Sequence, residues 1–375
     1  MNTIKLTDDH REMEVIGKQL LVDHSDIYTD KMMNSILASI RSRMPDATEE
    51  ERQRKLYRAT YNYWVYGNSV DEDFYFGFDG LSREEKLKFM TLRMRMEYTW
   101  HLNDKTLSHL FNNKYETYEL LKPYYLRDVI QIEDESDFPK FRDFATAHPS
   151  FVVKPGDLGM ALGVHKVDTD ASTDLRRLFD ELLEEGRQNK EAHTWSKNKA
   201  VVLEELIVQD ESLARLHPAS VNGIRVTTVR VGGKVTVYYP WIKVGANDTF
   251  IASAVLGGLD IGIDPDTGVL NTKGFGERGE EYACHPNTGV PFIGYRIPRW
   301  DELLTIATEV AMKLPDSINY IGWDFVLTSR GWCIMEGNYA GDFMWQVFRK
   351  QGMKEDFERL IGWKCNKTFW WQKED

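Results

Sequence analysis

Between Ile321 and Asn338 the chain reads Ile-Gly-Trp-Asp-Phe-Val-Leu-Thr-Ser-Arg-Gly-Trp-Cys-Ile-Met-Glu-Gly-Asn, and this stretch constrains the rest more than any other. Two β-prone runs flank Ser329-Arg330-Gly331, and a three-residue hairpin loop wants glycine at its last, left-handed position. If Thr328 and Trp332 close that loop, Asp324 faces Glu336 across the strands. Asn338 shares their face, because strand side chains alternate with period two. Like charges directly opposite destabilise a sheet, whereas a divalent cation between them would reverse the sign. Oxygen-only ligands suit Mg²⁺ or Mn²⁺ rather than zinc. A solvated hairpin end whose charges water tolerates is the competing reading, and the hairpin alone does not choose between them.

The chain has 375 residues, long enough for a large core and two or three domains. Its net charge of −12 argues against a surface that coats nucleic acid, without excluding a local basic pocket for an anion. Cys284, Cys333 and Cys365 are odd in number and widely spaced, neither a disulfide framework nor a zinc pattern, which fits a reducing compartment. The first ten residues are polar and lack the apolar core of a signal peptide, and no apolar run is long enough to span a bilayer. The expectation is a cytoplasmic protein.

Residues 1–100 read mainly as helix. Thr48 to Glu51 and Ser82 to Glu85 fit the capping-box pattern. The aromatic runs Tyr61 to Tyr66 and Phe74 to Phe78 read as helix packing against the next domain rather than as a substrate platform. A helix is expected to start at Asn103 or Asp104. That puts Lys105 in a first turn, where a positive charge opposes the helix dipole; taken alone it reads as a surface lysine.

Near residue 150 the texture changes. Phe151-Val-Val-Lys154 is strand-like and leads into a loop with Gly156, Gly159 and Gly163. Such a loop lets backbone N–H groups approach an anion closely. It is neither a Walker loop nor a dinucleotide fingerprint, and His165 beyond it reads as an ordinary strand histidine. Leu175, Leu178, Phe179, Leu182 and Leu183 recur at helical spacing. The run from Ala200 to Val208 is an apolar strand interrupted by Glu204 and Glu205, acids that mark an exposed end or meet a polar ligand. A two-residue turn at Gly232-Gly233 joins strands from Asn222 and to Trp241, with Arg225 near the start of the first. Further turns fall at Gly257-Gly258 and Asp264 to Gly268, and a helix follows Pro298 through Leu303, Ala307, Val310 and Leu314. The tail beyond Trp363 carries no assignable pattern. Helices alternating with antiparallel hairpins point to an α+β or mixed fold.

In order and spacing these pieces resemble the ATP-grasp superfamily, most closely its sugar-transfer-associated branch, over roughly residues 100–345. The resemblance implies an α+β fold in which two subdomains, 101–215 and 216–375, sandwich ATP behind a mainly helical region, 1–100. It implies that Lys105 and Lys154 contact phosphates and that the loop from Gly156 to Gly163 folds over the triphosphate. Glu204 would accept the adenine amino hydrogen beside Glu205, the backbone of Ile207 would read the ring edge, and Glu211 would hold the ribose. Asp324, Glu336 and Asn338 match the magnesium set, and Arg225 matches the arginine that neutralises the transferred phosphoryl group. Many ATP-grasp ligases begin with a βαβ-rich domain; the helical start of this chain departs from that pattern, so their substrates are not carried over.

The activity so implied is an ATP-dependent ligase. It would activate a carboxylate as an acyl-phosphate for an amine or thiol, with Mg²⁺ or Mn²⁺, giving ADP and phosphate. The carboxylate would belong to a small molecule, a cell-surface saccharide precursor or a peptide. Two alternatives are a phosphotransferase on the same scaffold and a partner protein that binds ATP without turnover. Acceptor contacts are expected from the N-terminal region and from Gly257 to Asp264. The subunit number is not legible.

Overall fold

A computed structural model describes residues 4–159, 161–252, 256–341 and 343–365. Met160, within the glycine-rich loop, and the tail from 366 onward lie outside the described residues. Two compact units emerge. One holds Met1–Leu102 with Phe275–Tyr282 and Ala340–Asp375; the other holds Asn103–Gly274 and Ala283–Tyr339.

The first unit is mostly helical. Its principal helices are His10–Asp23, Asp30–Arg43, Glu49–Tyr66 and Leu92–Leu102. Both expected capping boxes form: Thr48 and Glu51 satisfy each other's backbone N–H groups, as do Ser82 and Glu85. Gly67, left-handed at φ 73°, ends the long helix. The aromatic runs turn inward within this unit, where Tyr61, Val65, Tyr66, Phe78 and Phe89 pack with Met13.

Strands are labelled along the chain as β1 (Val129–Ile132), β2 (Ser150–Pro155), β3 (His165–Asp168), β4 (Val201–Glu205), β5 (Gly223–Val231), β6 (Lys234–Val244), β7 (Leu259–Ile263), β8 (Leu270–Phe275), β9 (Glu281–Tyr282), β10 (Tyr320–Thr328) and β11 (Gly331–Asn338). β9 belongs to the helical unit. The second unit contains two sheets. The smaller has the order β1-β4-β2-β3, and in the larger the strands of this unit run β11-β10-β5-β6-β7-β8.

In the smaller sheet, alternation sends Phe151, Val153, Val201 and Leu203 to one face. There they pack on Phe141 and Phe144 of the helix Phe138–Ala147 and on Phe179, Leu182 and Leu183 of the helix Leu175–Ala192. The opposite face receives Lys154 and Glu204. In the larger sheet the helix Trp300–Lys313 packs across β5 and β6 through Leu303, Ala307 and Val310, a helical stripe. The Gly232-Gly233 turn closes as expected, Val231 pairing with Lys234.

The hairpin of β10 and β11 differs from its expected form in one respect. Thr328 pairs with Gly331, not Trp332, so the loop is only Ser329-Arg330 and Gly331 enters the strand at φ 123°. A bulge at Met335 then restores the register, and Asp324 lies opposite Glu336. The extra residue in β11 is what a β-bulge adds: one strand gains a residue and the pairing shifts by one.

Candidate functional site

The site in the second unit is built on a row of residues that runs across three strands. Arg225 of β5 pairs with Asp324 of β10, and Asp324 pairs with Glu336 of β11. Residues directly opposite share a face, so a buried arginine, a buried aspartate and a half-buried glutamate line up side by side. Arg225 grips Asp324 with a two-pronged contact, Nε to Oδ1 at 2.6 Å and one Nη to Oδ2 at 3.0 Å. Lys243 of β6 adds its ammonium 3.3 Å from Oδ1. Burial alone would push the Asp324 carboxyl up; the two cations outweigh it and hold the group down at about 2.

Asn338 stands two residues beyond Glu336 on the same strand face and donates its amide to the Gly322 carbonyl at 3.2 Å. With the nitrogen so used, the amide oxygen is the atom left to act as a ligand. Gly337 lies between the two: a Cβ there would come within 2.8 Å of the Trp323 ring and 3.0 Å of Phe111. That close packing from behind fixes where Glu336 and Asn338 point.

The second half of the site comes from the smaller sheet. Val152 pairs with Glu204 and Lys154 with Val202, which makes Lys154 and Glu204 diagonal neighbours on one face. The Lys154 ammonium sits 2.8 Å from one oxygen of Glu204. The other oxygen accepts from Arg127, Nε at 3.0 Å and Nη2 at 2.7 Å. Glu204 is therefore engaged at both oxygens. Burial would raise its carboxyl, and Arg127 and Lys154 hold it at about 2. Arg127 also donates to the carbonyls of Ile334 and Met335, so the smaller sheet is tied to the strand that carries Glu336.

Lys114 caps this arrangement from above the glycine-rich loop. It opens the helix Lys114–Leu121, whose N-cap Asn113 accepts from the N–H groups of Tyr115 and Glu116. Its backbone N–H donates to the Gly156 carbonyl at 2.9 Å, and its ammonium donates to the Leu158 carbonyl. Burial pushes this lysine's proton affinity down, Glu336 raises it, and Lys154 lowers it again.

Other expected residues sit as follows. Lys105 stands on an exposed 3-10 turn, Lys105–Leu107, capped by Asp104 rather than opening an α-helix. Gly156 is confined, since a Cβ would meet the Asn198 side chain at 2.9 Å, whereas Gly159 faces open space and Gly163 is left-handed at φ 68°. Asp157 anchors the loop to Ser196, Lys197 and Asn198. Glu205 ends β4 and is held by Arg330 and the Asp128 N–H. Ile207 follows in an irregular segment, half-buried, and Glu211 opens the short helix Glu211–Ala214 on the surface. Arg127, Lys114 and Lys243 did not stand out in the sequence.

A family model described as sugar-transfer associated ATP-grasp matches residues 93–360. The chain belongs to that family. Its fold is accordingly the α+β ATP-grasp fold, here with prominent N-terminal helices. No curated protein matches the chain. Among solved structures, this ATP-grasp chain is similar to D-alanyl-alanine synthetase A from Vibrio cholerae at 15% identity and TM-score 0.38, covering 69% of this chain and 62% of that one. It is similar to an L-amino acid ligase from Bacillus licheniformis at 13% identity and TM-score 0.39, covering 68% and 49%. It is also similar to purK, an N5-carboxyaminoimidazole ribonucleotide synthetase solved with ADP, at 10% identity and TM-score 0.42, covering 75% and 60%. The ATP-grasp chain thus spans less than two thirds of the length of each of these three. Among the described residues, no helix is long and apolar enough to cross a membrane.

Proposed function

We propose that this ATP-grasp chain binds ATP with a divalent cation and uses it to activate a carboxylate for attack by an amine or another nucleophile. The observation that carries this reading is the charge pattern of the site. Five cations, Lys114, Arg127, Lys154, Arg225 and Lys243, stand among four carboxylates, Asp157, Glu204, Asp324 and Glu336. The chain as a whole carries −12. A local excess of positive charge in an acidic protein fits a polyanion such as a triphosphate.

The donor set also fits a hard cation. Asp324, Glu336 and the Asn338 oxygen are oxygen ligands brought side by side, as Mg²⁺ or Mn²⁺ requires. Such an ion, when bound, neutralises charge on the transferred phosphoryl group. Arg225 and Lys243 both pair with Asp324, and phosphate oxygens are their natural alternative partners. Moving those cations onto phosphate would release Asp324 as a ligand, so nucleotide and metal would bind cooperatively.

Glu204 orients Lys154 and retains an acceptor lone pair on Oε1 for the adenine amino hydrogen, beside the backbone near Ile207 that would read the ring edge. One anticipated role shifts on this reading. Lys114 takes the phosphate role expected of Lys105. The carboxylate that is activated belongs to a small molecule, a saccharide precursor or a peptide; a phosphotransferase using the same site is the second reading. The test is to incubate the purified protein with ATP, Mg²⁺ and a cell-extract metabolite pool, following ADP and product masses. ADP with a product equal to two components minus water supports the ligase. ADP with a phosphate-sized mass gain moves the assignment to a kinase, and nucleotide binding without ADP from any pool contradicts both.

A further inference from the structure

The sequence offers Asn103 or Asp104 as a cap, and Asp104 takes that role, accepting from the Thr106 N–H at 2.9 Å. Asn103 is buried and bonds away from its own turn. Its side-chain oxygen accepts from the N–H groups of Asn319 and Tyr320, both at 2.8 Å. Its side-chain nitrogen donates to the Tyr320 carbonyl at 2.7 Å and to the Tyr339 carbonyl at 2.9 Å. A carboxamide has two donor hydrogens and two acceptor lone pairs, so all four positions are used. Turned over, it would set its oxygen against two carbonyls, so the network fixes which atom is which.

These partners lie where the pairing of β10 with β11 stops. Asn338, the last residue of β11, pairs with Gly322, and Tyr320 opens β10 two residues earlier. Asn103 and Tyr320 exchange one N–H···O bond each way, as two residues do in a hydrogen-bonded antiparallel pair. The side-chain amide thus acts as an extra peptide group that prolongs the ladder past Asn338. Its second N–H crosses to Tyr339, the residue joined to Asn338 in the chain. The backbone of Asn103 is held without help from its side chain. It bridges Ile318, and the next N–H, that of Asp104, donates to the Ser317 carbonyl at 2.8 Å.

We propose that Asn103 is a positioning residue for the cation site, fixing through the Tyr339 carbonyl the backbone that aims the Asn338 oxygen. The assignment rests on the reading of Asp324, Glu336 and Asn338 as cation ligands. A residue that only stiffens the fold affects stability; a positioning residue also sets the metal requirement.

Calorimetric titration of ATP at a series of Mg²⁺ concentrations, on the parent and on Asn103→Asp, tests it. Aspartate keeps the shape and the acceptor oxygen and removes both N–H donors, including the one to Tyr339. The Mg²⁺ concentration giving half of the gain in ATP affinity is expected to rise about tenfold. Affinity without Mg²⁺ is expected to change by less than about twofold. Phe141→Leu, in the core beside the smaller sheet, controls for lost stability alone and is expected to keep the parent's Mg²⁺ requirement. Asn103→Ala, which adds no buried charge, serves the same purpose should Asn103→Asp fail to fold. An unchanged Mg²⁺ requirement in the folded Asn103 variant overturns the positioning role and leaves the cation site standing. An equal rise in Phe141→Leu also overturns it, by assigning the effect to stability. A parent whose ATP affinity ignores Mg²⁺ overturns the cation site and the positioning role together.

Discussion

Arg127 donates two hydrogen bonds to a single oxygen of Glu204, from Nε at 3.0 Å and from Nη2 at 2.7 Å. Both side chains are buried, and the same guanidinium reaches the carbonyls of Ile334 and Met335 at the bulge in β11. One residue thus satisfies an acid on the smaller sheet and two backbone oxygens beside Glu336 on the larger. Removing it would leave a buried carboxylate short of a partner and two carbonyls without their donor. Arg127→Met is expected to lose about 3–5 kcal/mol of stability, read from urea unfolding. A loss below 1 kcal/mol would mean that neighbouring groups reorganise to replace it.

The buried acids make stability depend on pH in a defined window. Glu204 and Asp324 are both held at about 2, against ordinary values of 4.5 and 3.8. A carboxyl depressed by folding contributes stability that is fully present above its unfolded value and is lost as pH falls through its folded one. The urea midpoint is therefore expected to fall between about pH 4.5 and pH 2, each acid contributing on the order of 2–3 kcal/mol. Glu204→Gln should flatten this dependence, and a midpoint as pH-sensitive as the parent's would remove Glu204 from the account.

Two lysines follow an Asn or Asp residue in this part of the chain, and they should behave differently. Lys114→Ala is expected to weaken ATP binding by about tenfold or more, the loss of one charge-assisted bond to phosphate. Lys105→Ala, on its exposed turn, is expected to change affinity by less than about twofold. Calorimetric titration of both variants separates the assignments; the reverse order would restore Lys105 to the phosphates.

Gly337 tests how tightly the ligand strand is held. A methyl group there would press into Trp323 and Phe111 at 2.8 and 3.0 Å. Gly337→Ala is expected to cost about 1–3 kcal/mol and to raise the Mg²⁺ concentration needed for nucleotide binding. A stable variant with unchanged metal dependence would show that the strand yields without moving Glu336 or Asn338.

Much of this arrangement can be read from local pattern, and the remainder depends on contacts that local pattern does not encode. Alternation along two strands is enough to bring Asp324 opposite Glu336, and the capping boxes at Thr48 and Ser82 announce their helices directly. The bulge at Met335 is invisible because no residue there demands it; the shorter Ser329-Arg330 loop and the bulge offset each other, so the facing pair survives a mistaken turn. Asp104-Lys105 and Asn113-Lys114 look alike as a cap followed by a lysine. The Gly156 carbonyl, which takes up the Lys114 N–H, tells them apart. The apolar-periodic run from Tyr118 to Leu121 that follows Asn113 was the available hint. Lys243 meets Asp324 through the register of three strands, and Arg127 donates to the Ile334 carbonyl 207 residues away in sequence. Neither distance leaves a trace in local spacing.

On the proposed reading, Asp324, Glu336 and Asn338 hold a divalent cation that binds together with ATP. Calorimetric titration of ATP into the parent chain and into Glu336→Gln, each with and without Mg²⁺, tests it most directly. Glutamine keeps the shape of Glu336 and removes its charge, while Asp324 stays paired with Arg225. Mg²⁺ is expected to tighten ATP binding to the parent by about tenfold or more and barely to affect the variant. Equal enhancement in both proteins would contradict the metal site and, with it, the chemistry proposed for this chain.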